Sequence, residues 1–143
     1  MTPRAHKNIS STQILRIIDA NLNRLREALR VIEEYFRFLT ADKRRASALK
    51  LMRHSLNGIE ATLGGVALVA SRDVATDPFA YANRPEELSR SCARDVLRAN
   101  FKRGQEAARV IEEFAKISAV PPVSQKAKTV RFSLYVLEKE LME

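Results

Sequence analysis

"NRLREALRVIEEYF" (Asn23–Phe36) and "KRGQEAARVIEEF" (Lys102–Phe114) are nearly the same helix written twice. Shifting the chain by 79 residues superposes 20–35 on 99–114 with ten identities in sixteen: Ala20, Asn21, Arg24, Glu27, Ala28, Arg30, Val31, Ile32, Glu33 and Glu34 recur as Ala99, Asn100, Arg103, Glu106, Ala107, Arg109, Val110, Ile111, Glu112 and Glu113. After a one-residue slip, "KLMRHSLNGIE" (Lys50–Glu60) matches "KTVRFSLYVLE" (Lys128–Glu138). Internal repetition of this kind settles the fold unit before anything else. Each half reads as one long helix followed by a second.

The helical reading rests on period. Leu15, Ile18, Leu22, Leu25, Leu29, Ile32, Phe36 and Leu39 alternate spacings of three and four, a heptad seam. A second seam beside it holds Ile17, Asn21, Arg24, Ala28, Val31, Tyr35 and Phe38, so the buried arc is wide. Ser10 with Gln13 three residues on forms a capping-box signature. Helices are expected at 11–39, 42–63, 91–118 and 123–141, with Pro121 and Pro122 ending the third. The expected fold is all-α: a duplicated helical hairpin closing into a four-helix, up-down-up-down bundle. Residues 1–10 form a disordered tail and 11–143 one domain, divided into repeat one (11–63), a connector (64–90) and repeat two (91–143). So long a connector in a compact domain is functional or disordered. It is expected to take in an extension of helix 2 and a turn at "PEEL".

Composition narrows the partners. The formal charge is +8 in 143 residues, which asks for an anionic partner. Cys92 is the single cysteine, so no intramolecular disulfide is available, which fits a reducing cytosol. No stretch is long and apolar enough for a membrane span, and the start has no signal-peptide core. "LGGVA" lacks the Gly-Lys-Ser/Thr ending of a P-loop, and no basic ribbon interleaved with aromatics favours nucleic acid.

The polar residues in the seam carry the functional reading. An Arg placed among core residues needs a carboxylate or a bound anion. Arg24 and Arg103 each have a Glu three residues on, Glu27 and Glu106. In an up-down-up-down bundle the two Asn-x-x-Arg pairs lie at one height, and the connector with Arg72, Asp73 and Asp77 caps them. Such a recess suits a phosphorylated ligand. Register-fixing Arg–Glu pairs explain the same residues without a ligand. Glu33, Glu34, Glu112 and Glu113 read as a solvated face, with Arg30 and Arg109 forming surface pairs to Glu34 and Glu113.

"IIDANLNRLREALRVIEEYFRF", "RHSL", "SRD" with an Asp four residues later, "DVLRANFKRGQEAARVIEEF" and "VRFSLYVLEKEL" together resemble a small helical kinase family. It acts on hydroxymethylpyrimidine phosphate in thiamine biosynthesis, and its domains occur alone or fused ahead of thiamine phosphate synthase. The resemblance covers about residues 14–141. It implies ATP- and Mg²⁺-dependent phosphorylation of 4-amino-2-methyl-5-(phosphooxymethyl)pyrimidine to the diphosphate by a cytoplasmic enzyme. A synthase domain is the implied partner, and a homo-oligomer is left open. By motif match the site includes Arg24, Arg103, Arg72 and Asp73 as catalytic candidates. Asp19, Asn21, Glu27, Arg53, Asn100, Gln105, Glu106 and Arg131 are candidates for substrate and nucleotide. Asp73, Asp77 or Asp95 would hold the metal. The family's stretch after "RD" is acidic and glycine-bearing, whereas here it reads "VATDPFAYANRP". The acceptor is a phosphate oxygen, already ionised near neutral pH, so the chemistry needs alignment and charge cancellation rather than a general base. Two rival readings stand beside it: a basic adaptor that binds RNA or protein through its surface and is indifferent to Asn21 and Asn100, and a chorismate-mutase-like helical enzyme that uses the same Arg, Glu and Gln residues.

Overall fold

A computed structural model describes residues 9–118 and 120–142. It contains α1 (Ser11–Glu34), α2 (Lys43–Leu63), α3 (Gly65–Ala70), α4 (Ala93–Ile117) and α5 (Pro121–Met142), and no strand among the described residues. The fold is all-α. The expected tail falls mostly on residues outside those described, but Ile9 already packs against the core and Ser10 caps α1. The capping box is present: Ser10 Oγ accepts from the Gln13 amide, and Gln13 Oε1 accepts from the Ser10 amide. Pro121 and Pro122 open α5 rather than end its predecessor, since a proline in the first turn surrenders no intrahelical bond.

Helix α1 runs on into a π turn at Tyr35–Leu39, and Asp42 then caps α2. A π turn accommodates one extra residue. The one-residue slip between the repeats falls between Tyr35 and Lys50, and α4 ends without such a turn. At the other end of α2, Gly64 takes φ +90°, a left-handed backbone that a β-carbon would disfavour, and ends the helix ahead of α3.

The contacts between helices fix their directions. Arg26 meets Glu60 and Arg53 meets Glu33, so α1 and α2 are antiparallel. Gln105 meets Glu138 and Arg131 meets Glu112, so α4 and α5 are antiparallel. Arg45 meets Glu140, and Lys126 lies over Gly58, so α2 and α5 are antiparallel too. It follows that α1 and α4 also oppose each other. The ring order is α1–α2–α5–α4 and the chain runs up, down, down, up, which corrects the up-down-up-down expectation. Two successive helices of the same direction need a crossover as long as the bundle, and residues 64–92 supply it.

The hairpins are related by a pseudo-twofold axis perpendicular to the helices, passing between α1 and α4 near Leu25 and Gly104. Leu25, Leu29, Ile32, Phe36, Phe101, Ile111 and Leu134 are fully or almost fully buried around it. A β-carbon on Gly104 would sit 3.0 Å from Leu134 Cδ1, 3.5 Å from Ala28 Cβ and 3.7 Å from Leu25 Cδ1. Gly104 thus permits the close approach of α1 and α4. Gly104→Val is expected to destabilise the protein by about 1–3 kcal/mol through overpacking, read as a lower urea midpoint. An unchanged midpoint would mean that the helices have room to spare.

Candidate functional site

The crossover leaves α3 at the N-terminal end of α1 and is strapped down there. Arg72 Nε and Nη2 donate to the two carboxylate oxygens of buried Asp19 at 2.6 and 3.1 Å. That forked bond raises the arginine above its ordinary pKa. Arg16 donates to the Asp73 carbonyl at 2.7 Å. Asp73 folds back on Thr76, accepting from its amide at 3.1 Å and from its hydroxyl, and these bonds hold the Asp73 carboxyl below the usual carboxylate range. Asp77 likewise accepts from the Phe79 amide at 2.9 Å. Bonds of this kind shape a glycine-free "VATDPFAYANRP" into a defined strap.

Between the strap and the α1–α4 pair lies a groove of about 600 Å³. Asn21 and Arg24 line one wall, Arg103 and Glu106 the other, and Asp77, Phe79, Asn83 and Glu87 the roof. A second recess of about 450 Å³ continues toward the α1 N-terminus and shares Asn21, Arg24 and Asp77 with the first. Arg103 Nη2 lies 3.9 Å from Glu27 Oε2 across the axis, and Arg24 Nη1 donates to Asn21 Oδ1 at 3.4 Å. The repeats therefore do bring both arginines and both glutamates to one place.

The manner differs from expectation. Arg24 and Glu27 are exposed, and the Arg103 side chain is 55% exposed. They sit on the open floor of the groove, not in the apolar interior. The second seam borders the groove, and only its Asn21 and Ala28 close over. Because α1 and α4 are antiparallel, the Asn-x-x-Arg pairs do not share one height. The arginines meet because both lie within a turn of the axis, whereas Asn21 and Asn100 are separated by roughly 13 Å along it. Asn21 lines the groove and Asn100 does not. Each donates to a carbonyl four residues back, Ile17 at 2.9 Å and Val96 at 2.8 Å.

Other candidates lie elsewhere. Asp95 is in the first turn of α4, near Arg98 at 4.0 Å, at the opposite end of the bundle from Asp73 and Asp77. Gln105 is buried and donates to Glu138 at 3.2 Å, tying α4 to α5. Arg53 binds Glu33 at 3.1 Å, and Arg131 binds both oxygens of Glu112. These two pairs are the same contact in each repeat. Glu33 and Glu112 are 4% and 3% exposed, so neither belongs to a solvated face. The signal was in the sequence: each recurs together with its arginine, and each follows a core position by four. Arg30 and Arg109 do form the surface pairs expected, with Glu34 and Glu113, both at 3.0 Å. Among the described residues no three His, Cys, Asp or Glu side chains cluster as a metal site, and no helix is long and apolar enough to cross a membrane.

A groove on a pseudo-twofold axis, lined by Arg24 and Arg103 with Asp77, Glu87 and Glu106 and roofed by the crossover, defines an all-α protein of duplicated helical hairpins with one site between them. Sequence comparison carries the assignment further. The profile of the ThiD2 family matches residues 16–140, and the chain belongs to that family. It is 38% identical over 140 residues to a thiamine-phosphate synthase of Nostoc punctiforme, covering 98% of this chain and 38% of the relative. It is 40% identical over 129 residues to one from Thermosynechococcus vestitus (90% and 35%), and 41% identical over 125 residues to one from Gloeobacter violaceus (87% and 35%). The chain thus spans little more than a third of the curated relatives it matches. No solved structure matches it.

Proposed function

We propose that the protein is a thiamine-biosynthesis kinase that transfers a phosphoryl group from ATP to 4-amino-2-methyl-5-(phosphooxymethyl)pyrimidine. The observation that carries this reading is the pair of adjoining recesses that meet at Asn21, Arg24 and Asp77. Phosphoryl transfer requires two anionic ligands whose reacting phosphates come face to face over cationic groups. Arg24 and Arg103 would bind those phosphates and offset charge in the transition state. Asn21 Oδ1 would orient Arg24 or an amino group of the pyrimidine. Arg72, held by Asp19, positions the strap.

The donor set fits Mg²⁺ in the way nucleotide sites usually do, through one or two carboxylates with phosphate oxygens completing the shell. Asp77 would be the carboxylate that holds it, since only its Oδ1 is engaged by the Phe79 amide. A metal held there would neutralise charge on the phosphates. Asp73 stands nearby but is committed to Thr76. The similarity to thiamine-phosphate synthases supports a product that a synthase consumes, and a cytosolic setting. The test is incubation of the protein with Mg-ATP and the pyrimidine monophosphate, followed by mass spectrometry. Formation of the diphosphate is expected, with the free alcohol spared for lack of its phosphate anchor. ADP released without a new diphosphate would reject the reading.

A further inference from the structure

At the bend of the first hairpin, on the face of α1 opposite the groove, lies a separate recess of about 400 Å³. Arg30, Arg37, Lys43, Lys50 and Arg53 line it with Glu33 as its single carboxylate. Glu33 lies nine residues from Arg24, which on a helix is half a rotation around and roughly 14 Å along. The recess cannot therefore share a ligand with the Arg24–Arg103 groove.

The internal repeat provides its own control. The second hairpin carries the same core of residues, Arg109, Glu112 and Arg131, with Lys116 and Lys128 standing where Arg37 and Lys50 stand. There the charge is smaller and better offset. Lys116 binds Glu113 at 2.7 Å, Lys128 lies 5.9 Å from the centre of the Phe132 ring, and Pro121 occupies the position of Lys43. Arg131 is bound on both sides, by Glu112 and by Tyr135 at 3.3 Å.

In the first hairpin Arg53 and Arg30 are likewise neutralised by Glu33 and Glu34. Arg37, Lys43 and Lys50, however, have no carboxylate partner among the described residues, and only Arg37 has an aromatic neighbour, its guanidinium lying 4.9 Å from the centre of the Phe38 ring. Arg37 stands on the π turn that carries the extra residue of this repeat, and Lys43 and Lys50 rise from the first two turns of α2. Three cations without a carboxylate on one concavity, two of them lysines with no aromatic neighbour either, repel one another and favour a bound anion.

We propose that this recess is a second anion site, selective for a diphosphate-bearing small molecule; the equivalent recess of the second hairpin is smaller, about 250 Å³, and Lys116 is the one cation lining it. The three cations can engage more oxygens than a single phosphate offers, and the Glu33–Arg53 pair braces the wall behind them. The site stands apart from the kinase reading and does not depend on it.

The experiment is calorimetric titration of the whole protein with inorganic pyrophosphate in magnesium-free buffer, with ADP as a parallel arm. Saturable binding is expected, together with a higher melting temperature as ligand accumulates. Lys43→Glu and Lys50→Glu should each weaken it by roughly tenfold, while Lys128→Glu on the second hairpin leaves it unchanged. Both lysines are exposed, and unaltered circular dichroism would show that the variants fold. Equal affinity for ADP and pyrophosphate would mean that the diphosphate alone is read, and tighter ADP would assign the source to a nucleotide. Unchanged affinity in Lys43→Glu/Lys50→Glu, or loss of all binding in Arg24→Ala alone, would overturn the proposal.

Discussion

Under the proposed kinase activity, alanine at Arg24 or at Arg103 is expected to lower turnover of the pyrimidine phosphate by about a hundredfold or more, with helix content and melting temperature nearly unchanged. The two halves of this expectation have one cause. Both side chains lie on the floor of an open groove, where water solvates them in the free protein. Folding therefore gains little from them, since exposed ion pairs such as Arg103–Glu27 contribute little. Charge developing on a transferring phosphoryl group is different, because a bound ligand and the crossover exclude water and the guanidinium then acts in a lower dielectric. Lysine at either position should restore only part of the rate, because it lacks the planar fork that binds two oxygens together. Near-normal kinetics in both alanine variants would remove the groove from the reaction.

The opposite behaviour is expected at Glu112. Its carboxylate is buried against Arg131, whose side chain is 13% exposed, and it also lies 3.6 Å from Arg109. Glu112→Ala leaves the Arg131 guanidinium inside the α4–α5 contact without its carboxylate, at a cost of about 3 kcal/mol. That corresponds to a fall in melting temperature of roughly 10 °C for a chain of this size. Replacing both partners together by apolar residues should recover much of the loss, since the isolated charge then disappears. A melting temperature unmoved by Glu112→Ala would show that Arg131 swings out to solvent. The equivalent Glu33→Ala change is expected to be milder, because the Arg53 side chain is 23% exposed and has less desolvation to recover.

Much of the molecule was legible in its residues. The helices follow from a period of three and four, the first boundary from Ser10 and Gln13, and the duplication from identities such as Arg24 with Arg103. These are local properties, and a helix declares them whatever it packs against. The buried glutamates were less legible, because charged residues on a helix are most often solvated. What betrayed them was co-recurrence with Arg53 and Arg131, a signal carried by the repeat and not by either helix alone.

The direction in which the second hairpin docks on the first is not written in any helical period. Two hairpins with equivalent apolar faces can join about an axis along the helices or one across them, and the seam looks the same for both. Close approach at Gly104, charge pairing of Arg45 with Glu140 and the length of the crossover select the second arrangement. The amino acids alone thus specify two matching helical hairpins and the cationic residues each one carries. The tertiary structure decides which of those cations meet. Near a perpendicular axis only residues within about a turn of it converge, so Arg24 and Arg103 face one groove while Asn100 and Asp95 are carried away from it.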